Sequence, residues 1–531
     1  MWKGPHTIPD MLRRNAEVLP DRESFVSILY RTGQWVRHTW KELDHITNHL
    51  AAGLTKIGVR KGQKLAFINR NSAECYYSYL STHKLGAIFV PINFRLVGRE
   101  VEYIVGHSDA DYVIMGSDFI PLIDQIRHRI ENVKGFVCIE KEGEPIPDWV
   151  VSFKEMLNTP GGPPGIFVGP DDEADLIYTT GTTGRPKGVL LTQANKVACG
   201  RLLGAGWGIR QNRYKCPLMQ NAFPFFTATG VSSVMMPWLY YGFAVILEPT
   251  FDVIQTLETI QRERSTIYFA APSMLIFILD HPRMKEFDTS SIRNVIYGGS
   301  AMPEEVMRRL LDTWAGVKLV NAYGLTEGGT GGTCLDASDA IRKLGSIGLP
   351  FPPDQETRIV DDQDHDVGFG QVGEIVIRGP NIMKEYYKDP EATRETLKNG
   401  WLHTGDLGYY DEDGYFYYTD RKKDMIVRGG FNVYSLEVEN VLYEHDAVKH
   451  CAVVAKPHPK LGEDVLAFVV LVEGKRVSAE ELIEFCSNKL ADFKRPREIR
   501  FIESLPVNAM GKVDKKVIRA SYLPPPGENR E

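Results

Sequence analysis

Apolar residues set two alternating rhythms along the N-terminal part of the chain. Between Trp40 and Ile57, Leu43, Ile46, Leu50, Leu54 and Ile57 recur every three or four positions, which predicts a helix that Gly58 can end. Residues 64–69 then read as a strand, 72–85 as a helix and 87–91 as a second, buried strand. That β-α-β order predicts a parallel sheet covered by helices. Short extended runs recur at 112–115, 135–139, 174–178, 189–191, 244–247 and 294–297. The most apolar stretch, 231–247, is broken by Pro237 and Gly242. A spanning helix needs about 20 residues, so this stretch reads as a buried helix followed by a buried strand.

A different pattern starts near the charged run Asp420-Arg421-Lys422-Lys423-Asp424, which separates strand-like residues 414–418 from 425–427. Beyond it, strands are expected at 452–455, 465–472 and 499–502, with a helix over 479–490, a compact α+β arrangement. The Pro/Gly segment 160–165 reads as a connection, and 524–531 as a disordered tail. On the first helix, His45 and His49 have a metal-friendly i, i+4 spacing. At about 100° per residue both lie opposite the apolar stripe, so a solvated face is expected there.

Composition narrows the class. The 531 residues are enough for roughly three or four domains or subdomains. Hydrophobic residues make up 43% and charged residues 25%, the balance of a soluble globular chain. A net charge of −7, from 62 basic against 69 acidic residues, argues against a nucleic-acid surface. The seven cysteines form no C-x-x-C pair and read as reduced thiols of a cytosolic protein. Pro5, His6 and Pro9 interrupt the first ten residues, so no secretory signal is expected, and a cytoplasmic location is. Peripheral membrane contact and homodimerisation stay open.

The richest chemistry lies in Tyr178-Thr179-Thr180-Gly181-Thr182-Thr183-Gly184-Arg185-Pro186-Lys187-Gly188, between two apolar runs. Two glycines, four threonines and one lysine can wrap a phosphate with backbone N–H groups, hydroxyls and a compact positive charge. An ordinary Gly/Thr surface loop is the bland alternative. The segment is not a G-x-x-x-x-G-K-[ST] loop: Pro186 replaces the second glycine and Gly188 the hydroxyl that would hold magnesium. Three more segments follow in order. Asn321-Ala322-Tyr323-Gly324-Leu325-Thr326-Glu327 offers an aromatic face, a hydroxyl and a carboxylate. Trp401-Leu402-His403-Thr404-Gly405-Asp406 offers an isolated acid, and Pro506-Val507-Asn508-Ala509-Met510-Gly511-Lys512 a lysine on a flexible loop.

In that order and spacing the chain resembles the adenylate-forming superfamily, which includes acyl-CoA synthetases, luciferases and adenylation domains of peptide synthetases. The resemblance covers nearly the whole chain and extends to Gly298-Gly299-Ser300, Gly345-Ser346-Ile347-Gly348 and Gly429-Gly430-Phe431-Asn432-Val433. The pattern is most similar to bacterial acyl-CoA ligases of the fatty-acid and aryl-acid branch. It implies an α/β fold: a large N-terminal domain (1–420) of parallel-rich sheets with helices and a small β subdomain, and a small mobile α+β C-terminal domain (421–531). The hinge would lie at Lys423.

The resemblance also implies an activity and its parts. A carboxylic acid would attack ATP to give acyl-AMP and pyrophosphate, and coenzyme A would then form the thioester and release AMP. Thr179, Thr180, Gly181, Thr182, Thr183, Gly184 and Lys187 would hold the β- and γ-phosphates. Thr326 would bond the α-phosphate, Glu327 would help bind Mg²⁺, and Lys512 would bridge carboxylate and phosphate. Tyr323 would stack on adenine opposite Gly298, Gly299 and Ser300, flanked by Ala322 and Gly324, with Asn321 at the base edge. Asp406 and Arg421 would hold the ribose. After rotation, Gly429-Gly430 would approach the pantetheine tunnel.

One departure concerns the acyl site. Where many acyl-CoA synthetases carry histidine in P-x-F-H, this chain has Pro224-Phe225-Phe226-Thr227. Phe223, Phe225, Phe226, Thr227 and Val231 are the expected pocket walls. The glycine-rich run after Glu327, residues 328–332, reads either as a deep acyl channel or as a loop without a substrate role. No buried basic residue can be assigned as a partner for a charged acid, which favours an apolar one: fatty, aromatic or alicyclic. A freestanding carrier-loading enzyme, a luciferase-type monooxygenase and a catalytically silent ATP-binding scaffold are the competing readings.

Overall fold

The computed structural model describes residues 4–179, 185–209, 217–300, 302, 304–351, 354–507 and 513–522. By contacts the chain forms two compact units. Residues 1–301, 305–357 and 377–402 make the first, and 302–304, 358–376 and 403–531 the second.

Among the described residues the first unit holds two large sheets with helices, the expected α/β class. One runs Leu349–Pro350, Thr333–Leu335, Lys318–Tyr323, Asn294–Gly298, Ile267–Ala270, Leu218–Asn221, Ala244–Leu247, Glu23–Ile28, Trp35–Thr39. The other runs Glu385–Tyr386, Lys187–Thr192, Glu173–Thr179, Ile88–Pro91, Lys64–Ile68, Tyr112–Gly116, Gly135–Ile139, Val150–Ser152. Inner pairs are parallel, such as Phe67 with Pro91 and Ile296 with Val320, and so is the edge strand Val150–Ser152, while the other edges turn antiparallel. The sheets are therefore parallel-rich, as expected. Where Glu173–Thr179 meets Lys187–Thr192 the chain folds back through a hairpin instead of crossing over.

Helix Ala73–Lys84 lies in the middle of this unit, with every one of its residues buried. Its aromatic side chains join a single core: Tyr76 stacks on Phe25 at 5.0 Å, and Trp40 stacks on Trp238 at 4.8 Å. Helix Trp40–Lys56 begins with a capping box, in which the Thr39 side chain accepts from the Glu42 N–H and Glu42 reaches back to the Thr39 N–H. It packs so closely on Met156 that a side chain at Gly53 would not fit. Ile46 is only half-buried, whereas Thr47 and Asn48 are buried, because the helix is covered on more than one face. His45 is exposed as expected, but His49 is half-buried with Nδ1 3.3 Å from the Leu157 carbonyl. The reason is the neighbouring Phe153–Leu157 helix, which periodicity on one element cannot reveal.

The apolar stretch after Phe226 is helix then strand, as expected, but the helix opens with a π turn, Thr229–Val234, before Met235–Tyr241. Pro237 supplies no N–H, so the Ser233 carbonyl four residues earlier loses its helical donor, next to the point where the π turn gives way to the regular helix.

The second unit contains a sheet ordered Phe431–Val433, Ile426–Arg428, Gly462–Leu471, Val448–His458, with Glu498–Phe501 parallel to Gly462–Leu471. Helices Ser435–Tyr443 and Ala479–Ser487 bury Val438, Leu442, Leu482 and Cys486 in its core. The two long strands pair from Val448–Leu471 to His458–Gly462, extending the expected runs 452–455 and 465–472 mainly at their polar ends, 456–458 and 462–464. Gly429 and Gly430 form a two-residue hairpin turn with φ of +59° and +86°, both in the left-handed region that type I′ turns require. The described cysteines, Cys75, Cys138, Cys199, Cys334, Cys451 and Cys486, are buried free thiols. No described helix is long and apolar enough to cross a membrane.

Candidate functional site

Strand Glu173–Thr179 runs antiparallel to Lys187–Thr192, and their last pair is Thr179 with Lys187. The hairpin therefore sets these two predicted phosphate-binding residues opposite each other, while Thr180, Gly181, Thr182, Thr183 and Gly184 lie outside the described residues. The stem is braced by aromatic side chains. The Tyr103 hydroxyl donates to the Pro186 carbonyl at 3.2 Å, the Arg185 guanidinium lies 5.7 Å from the Tyr103 ring centre, and His107 Nδ1 is 2.8 Å from the Tyr178 hydroxyl.

Lys187 points its ammonium at the face of Tyr386, 4.9 Å from the ring centre. The Tyr386 hydroxyl donates to Glu327 Oε1 at 2.7 Å. One phenol thus joins the predicted phosphate lysine to the predicted metal carboxylate. Tyr386 is brought there by its short edge strand, in which Tyr386 pairs with Val189 and Glu385 with Leu190. Burial, together with the Glu327 carboxylate, raises the phenol's pKa above its ordinary value, so it stays a donor at neutral pH. Thr326 and Glu327 sit in a 3-10 turn, Thr326–Gly328, and the Met383 N–H holds the Glu327 carbonyl at 2.8 Å.

The adenine-side residues lie on adjacent parallel strands, where Gly298 pairs with Ala322 and Tyr297 with Asn321. Any side chain at Gly298 would strike the Ala322 carbonyl, and Gly299 has φ +84°. Tyr323 is half-buried, and its ring packs over Gly332. Asn321 spends one amide hydrogen on the Ser346 carbonyl at 2.9 Å. Residues 328–332 are a tightly packed turn. The Asn381 amide donates to the Gly328 carbonyl at 2.6 Å, and Gln355 Nε2 donates to that of Gly331 at 3.2 Å. The glycines there serve close backbone packing.

The expected acyl walls are mostly core. Val231 is fully buried, Phe225 packs among Phe67, Tyr76, Tyr79 and Phe89, and Phe226 meets Phe94 edge-on at 5.4 Å. Phe223 is half-buried against Phe269 at 4.7 Å. Thr227 turns its hydroxyl inward, donating to the Pro224 carbonyl at 2.8 Å and accepting from the Gly230 N–H at 3.0 Å. It caps the π turn, a role that histidine would not fill in this way.

In the second unit, Asp406 and Arg421 are direct cross-strand partners, with Nε 3.1 Å from Oδ1. The carboxylate is buried, while the Arg421 side chain is 47% exposed. The Asp406 N–H donates to Thr404 Oγ1 at 3.1 Å, and that hydroxyl donates to the Ile375 carbonyl at 2.7 Å. The charged run 420–424 lies, as expected, between two strands, Phe416–Arg421 and Ile426–Arg428. Asp420 and Arg421 end strand Phe416–Arg421, and a hydrogen-bonded turn follows. Asp420 receives the Ser435 N–H, Lys422 lies 2.8 Å from Asp362, and Asp424 2.9 Å from Arg519. Lys423 is exposed within the turn. Lys512 lies outside the described residues, as does the expected tail, 524–531.

Sequence reasoning missed Tyr386 and, in the first-unit core, Lys196, whose side chain is 1% exposed. Lys196 is a buried base, but it faces Asp175 at 2.5 Å and so offers no partner for a charged acid. A Tyr-Tyr pair in an edge strand and a single lysine in a helix carry no spacing signal that would have marked them. No cluster of three or more metal-ligating side chains occurs among the described residues. Mg²⁺ is commonly held by one or two carboxylates completed by phosphate and water oxygens, and Glu327 offers one carboxylate.

Comparisons with known proteins identify what the whole chain is similar to. The profile of the AMP-binding enzyme family matches residues 12–387, and that of the AMP-binding enzyme C-terminal domain matches 437–512. Feruloyl-CoA synthase of an Amycolatopsis species is 35% identical over 506 residues, spanning 92% of this chain and 95% of its own. A long-chain-fatty-acid–CoA ligase of Mycobacterium tuberculosis is 34% identical over 517 residues, spanning 96% and 98%. The solved anthranilate CoA ligase in complex with anthranoyl-AMP superposes with a TM-score of 0.88 at 27% identity, over 97% of each chain.

Proposed function

The chain belongs to the AMP-binding enzyme family, in the acyl-CoA synthetase branch of the adenylate-forming superfamily, and we propose that it activates an apolar carboxylic acid as its CoA thioester. The acid's carboxylate oxygen attacks the α-phosphorus of ATP, the bond to the β-phosphate oxygen breaks, and pyrophosphate leaves. The thiol of coenzyme A, losing its proton, then attacks the acyl carbonyl, and AMP leaves with the electron pair of the anhydride bond. The first step brings two anions together, so the site must neutralise charge and align the reactants.

The observation that supports this reading most is Tyr386 between Lys187 and Glu327. It keeps a cation for the β- and γ-phosphates close to a carboxylate for Mg²⁺ without fusing them into one ion pair. When bound, Mg²⁺ would draw charge from the phosphate oxygens. Thr179 and residues 180–184 would bind the same phosphates, Thr326 the α-phosphate, and Lys512 the attacking carboxylate and α-phosphate together. Tyr323 would stack on adenine over Gly298, Gly299, Ser300, Ala322 and Gly324, with Asn321 at its edge. Asp406 and Arg421 would hold the ribose. Phe223, Phe226, Thr227 and Val231 would border the acyl chain. The relatives act on a hydroxycinnamic acid in one case and on long-chain fatty acids in the other, so apolar acids of both shapes belong in the test set.

We assign the two half-reactions to two placements of the segment after residue 420, turning at Lys423, with Gly429-Gly430 presented to the pantetheine arm in the second. ATP–pyrophosphate exchange with a panel of acids, then AMP release with and without CoA, tests the whole proposal. Exchange followed by CoA-dependent AMP release is the expected result. Exchange without a CoA-dependent product would point to carrier loading, and no exchange with any acid to a silent ATP binder. Lys423→Pro should spare exchange and impair thioester formation; loss of both alike would remove the hinge assignment.

A further inference from the structure

A sealed polar cluster sits inside the first-unit core, apart from the residues assigned above to ATP. Asp175 comes from strand Glu173–Thr179, Lys196 from helix Gln193–Gly206 and His83 from helix Ala73–Lys84, and their side chains are 0–1% exposed. Lys196 Nζ lies 2.5 Å from Asp175 Oδ2, and donates to the Val231 carbonyl at 3.0 Å and to Ser232 Oγ at 2.6 Å. The Tyr79 hydroxyl donates to Asp175 Oδ2 at 3.1 Å, and His83 Nε2 is 3.2 Å from Asp175 Oδ1. Burial alone would push the Asp175 carboxyl up, but Lys196 and His83 outweigh it and hold the group below the usual carboxylate range.

An ammonium has three hydrogens, and here each has an acceptor, so nothing is left for a substrate. A buried ion pair is also a poor route to stability, because desolvating both charges consumes most of their attraction. What this one supplies is position. Two of the three acceptors belong to the π turn Thr229–Val234, from which Pro237 withholds one helical N–H and whose Ser232 carbonyl accepts from the Cys199 thiol at 3.8 Å. The third belongs to the strand that leads into the phosphate loop.

We propose that Lys196, anchored by Asp175, is a positioning residue that locks the π turn, and with it the Val231 side of the acyl site, to the phosphate-loop strand, and so sets which acids are accepted. The inference rests on the acid-activating function proposed above. Lys196→Met alone would strand Asp175 without a cation, so the test uses Asp175→Asn combined with Lys196→Met, and separately Ser232→Ala, which keeps the ion pair. Two readouts are taken: hydrogen exchange of amides 229–234, and KM for ATP and for each acid in ATP–pyrophosphate exchange.

In the paired variant, exchange at 229–234 should quicken about fivefold or more, the scale of one buried hydrogen bond, with the flanking helices unchanged. The kcat/KM ratio between bulky and slender acids should shift by a similar factor, about fivefold, while KM for ATP stays within about twofold. Ser232→Ala should move both in the same direction by less, and carries the test alone if the paired variant does not fold. Unchanged protection at 229–234 would overturn the proposal, and so would a loosened turn with unchanged acid selectivity. If the unaltered protein activates no acid, the acid-activating reading falls separately, while protection at 229–234 still decides whether Lys196 holds the turn.

Discussion

Lys187 and Glu327, on the phosphate side of the proposed nucleotide site, are linked through Tyr386, ring face to the ammonium and hydroxyl to the carboxylate. Asp406 and Arg421, on the ribose side, face each other directly across a strand pair at 3.1 Å. A direct cross-strand contact fixes where the Asp406 carboxylate points, which would suit its proposed aim at neutral sugar hydroxyls. A phenol spacer leaves both charges unspent, which suits a ligand that is itself an anion with its own cation. In the proposed site the same two residue classes would thus serve two tasks, and the difference lies in what stands between them.

The largest effect should come from the phosphate side. Lys512→Ala is expected to slow acyl-AMP formation at least about 10²-fold while thioester formation from supplied acyl-AMP largely survives. Single-turnover assays of each half-reaction decide this, and equal loss in both would erase the division between the steps. Glu327→Gln should lower kcat by about 30-fold, the scale of a lost contact to a charged group, and raise the Mg²⁺ needed for half-maximal rate. Asp406→Asn should instead raise KM for ATP about tenfold with kcat less affected. If both substitutions move the same parameter, the contrast between the two sides is wrong. The smallest change is Tyr386→Phe, about fivefold in the Mg²⁺ requirement. Because Glu327 and burial keep the Tyr386 phenol protonated beyond its usual range, both proteins should share one alkaline limb between pH 8 and pH 10. A limb present only in the unaltered protein would mean that Tyr386 ionises there.

Much of this architecture could be read from the residues because strands in parallel sheets are short, continuous apolar runs. Gly135–Ile139 and Ala244–Leu247 emerged with their expected ends. Helix Ala73–Lys84 showed no apolar stripe because all its faces are covered; only its length and flanks marked it. Lys187, Thr326 and Glu327 were legible as parts of contiguous motifs. Tyr386 was not, since it reaches Glu327 only because a two-residue strand pairs with Val189 and Leu190, which is a fact of topology. Asp175, His83 and Lys196 escaped for the opposite reason. Each is a lone polar residue in an apolar context, and only the fold reveals that Lys196 and His83 both face the Asp175 carboxylate.

The buried thiols give the molecule an internal clock. Burial lifts Cys75 and Cys138 to about 12 and Cys199 and Cys486 to about 11, so at neutral pH none presents a thiolate to an alkylating reagent. Cys75, Cys138, Cys199 and Cys334 lie in the first unit, and Cys451 and Cys486 in the second. Modification of each by iodoacetamide, followed by mass spectrometry, therefore times how often its own unit opens and whether one yields before the other.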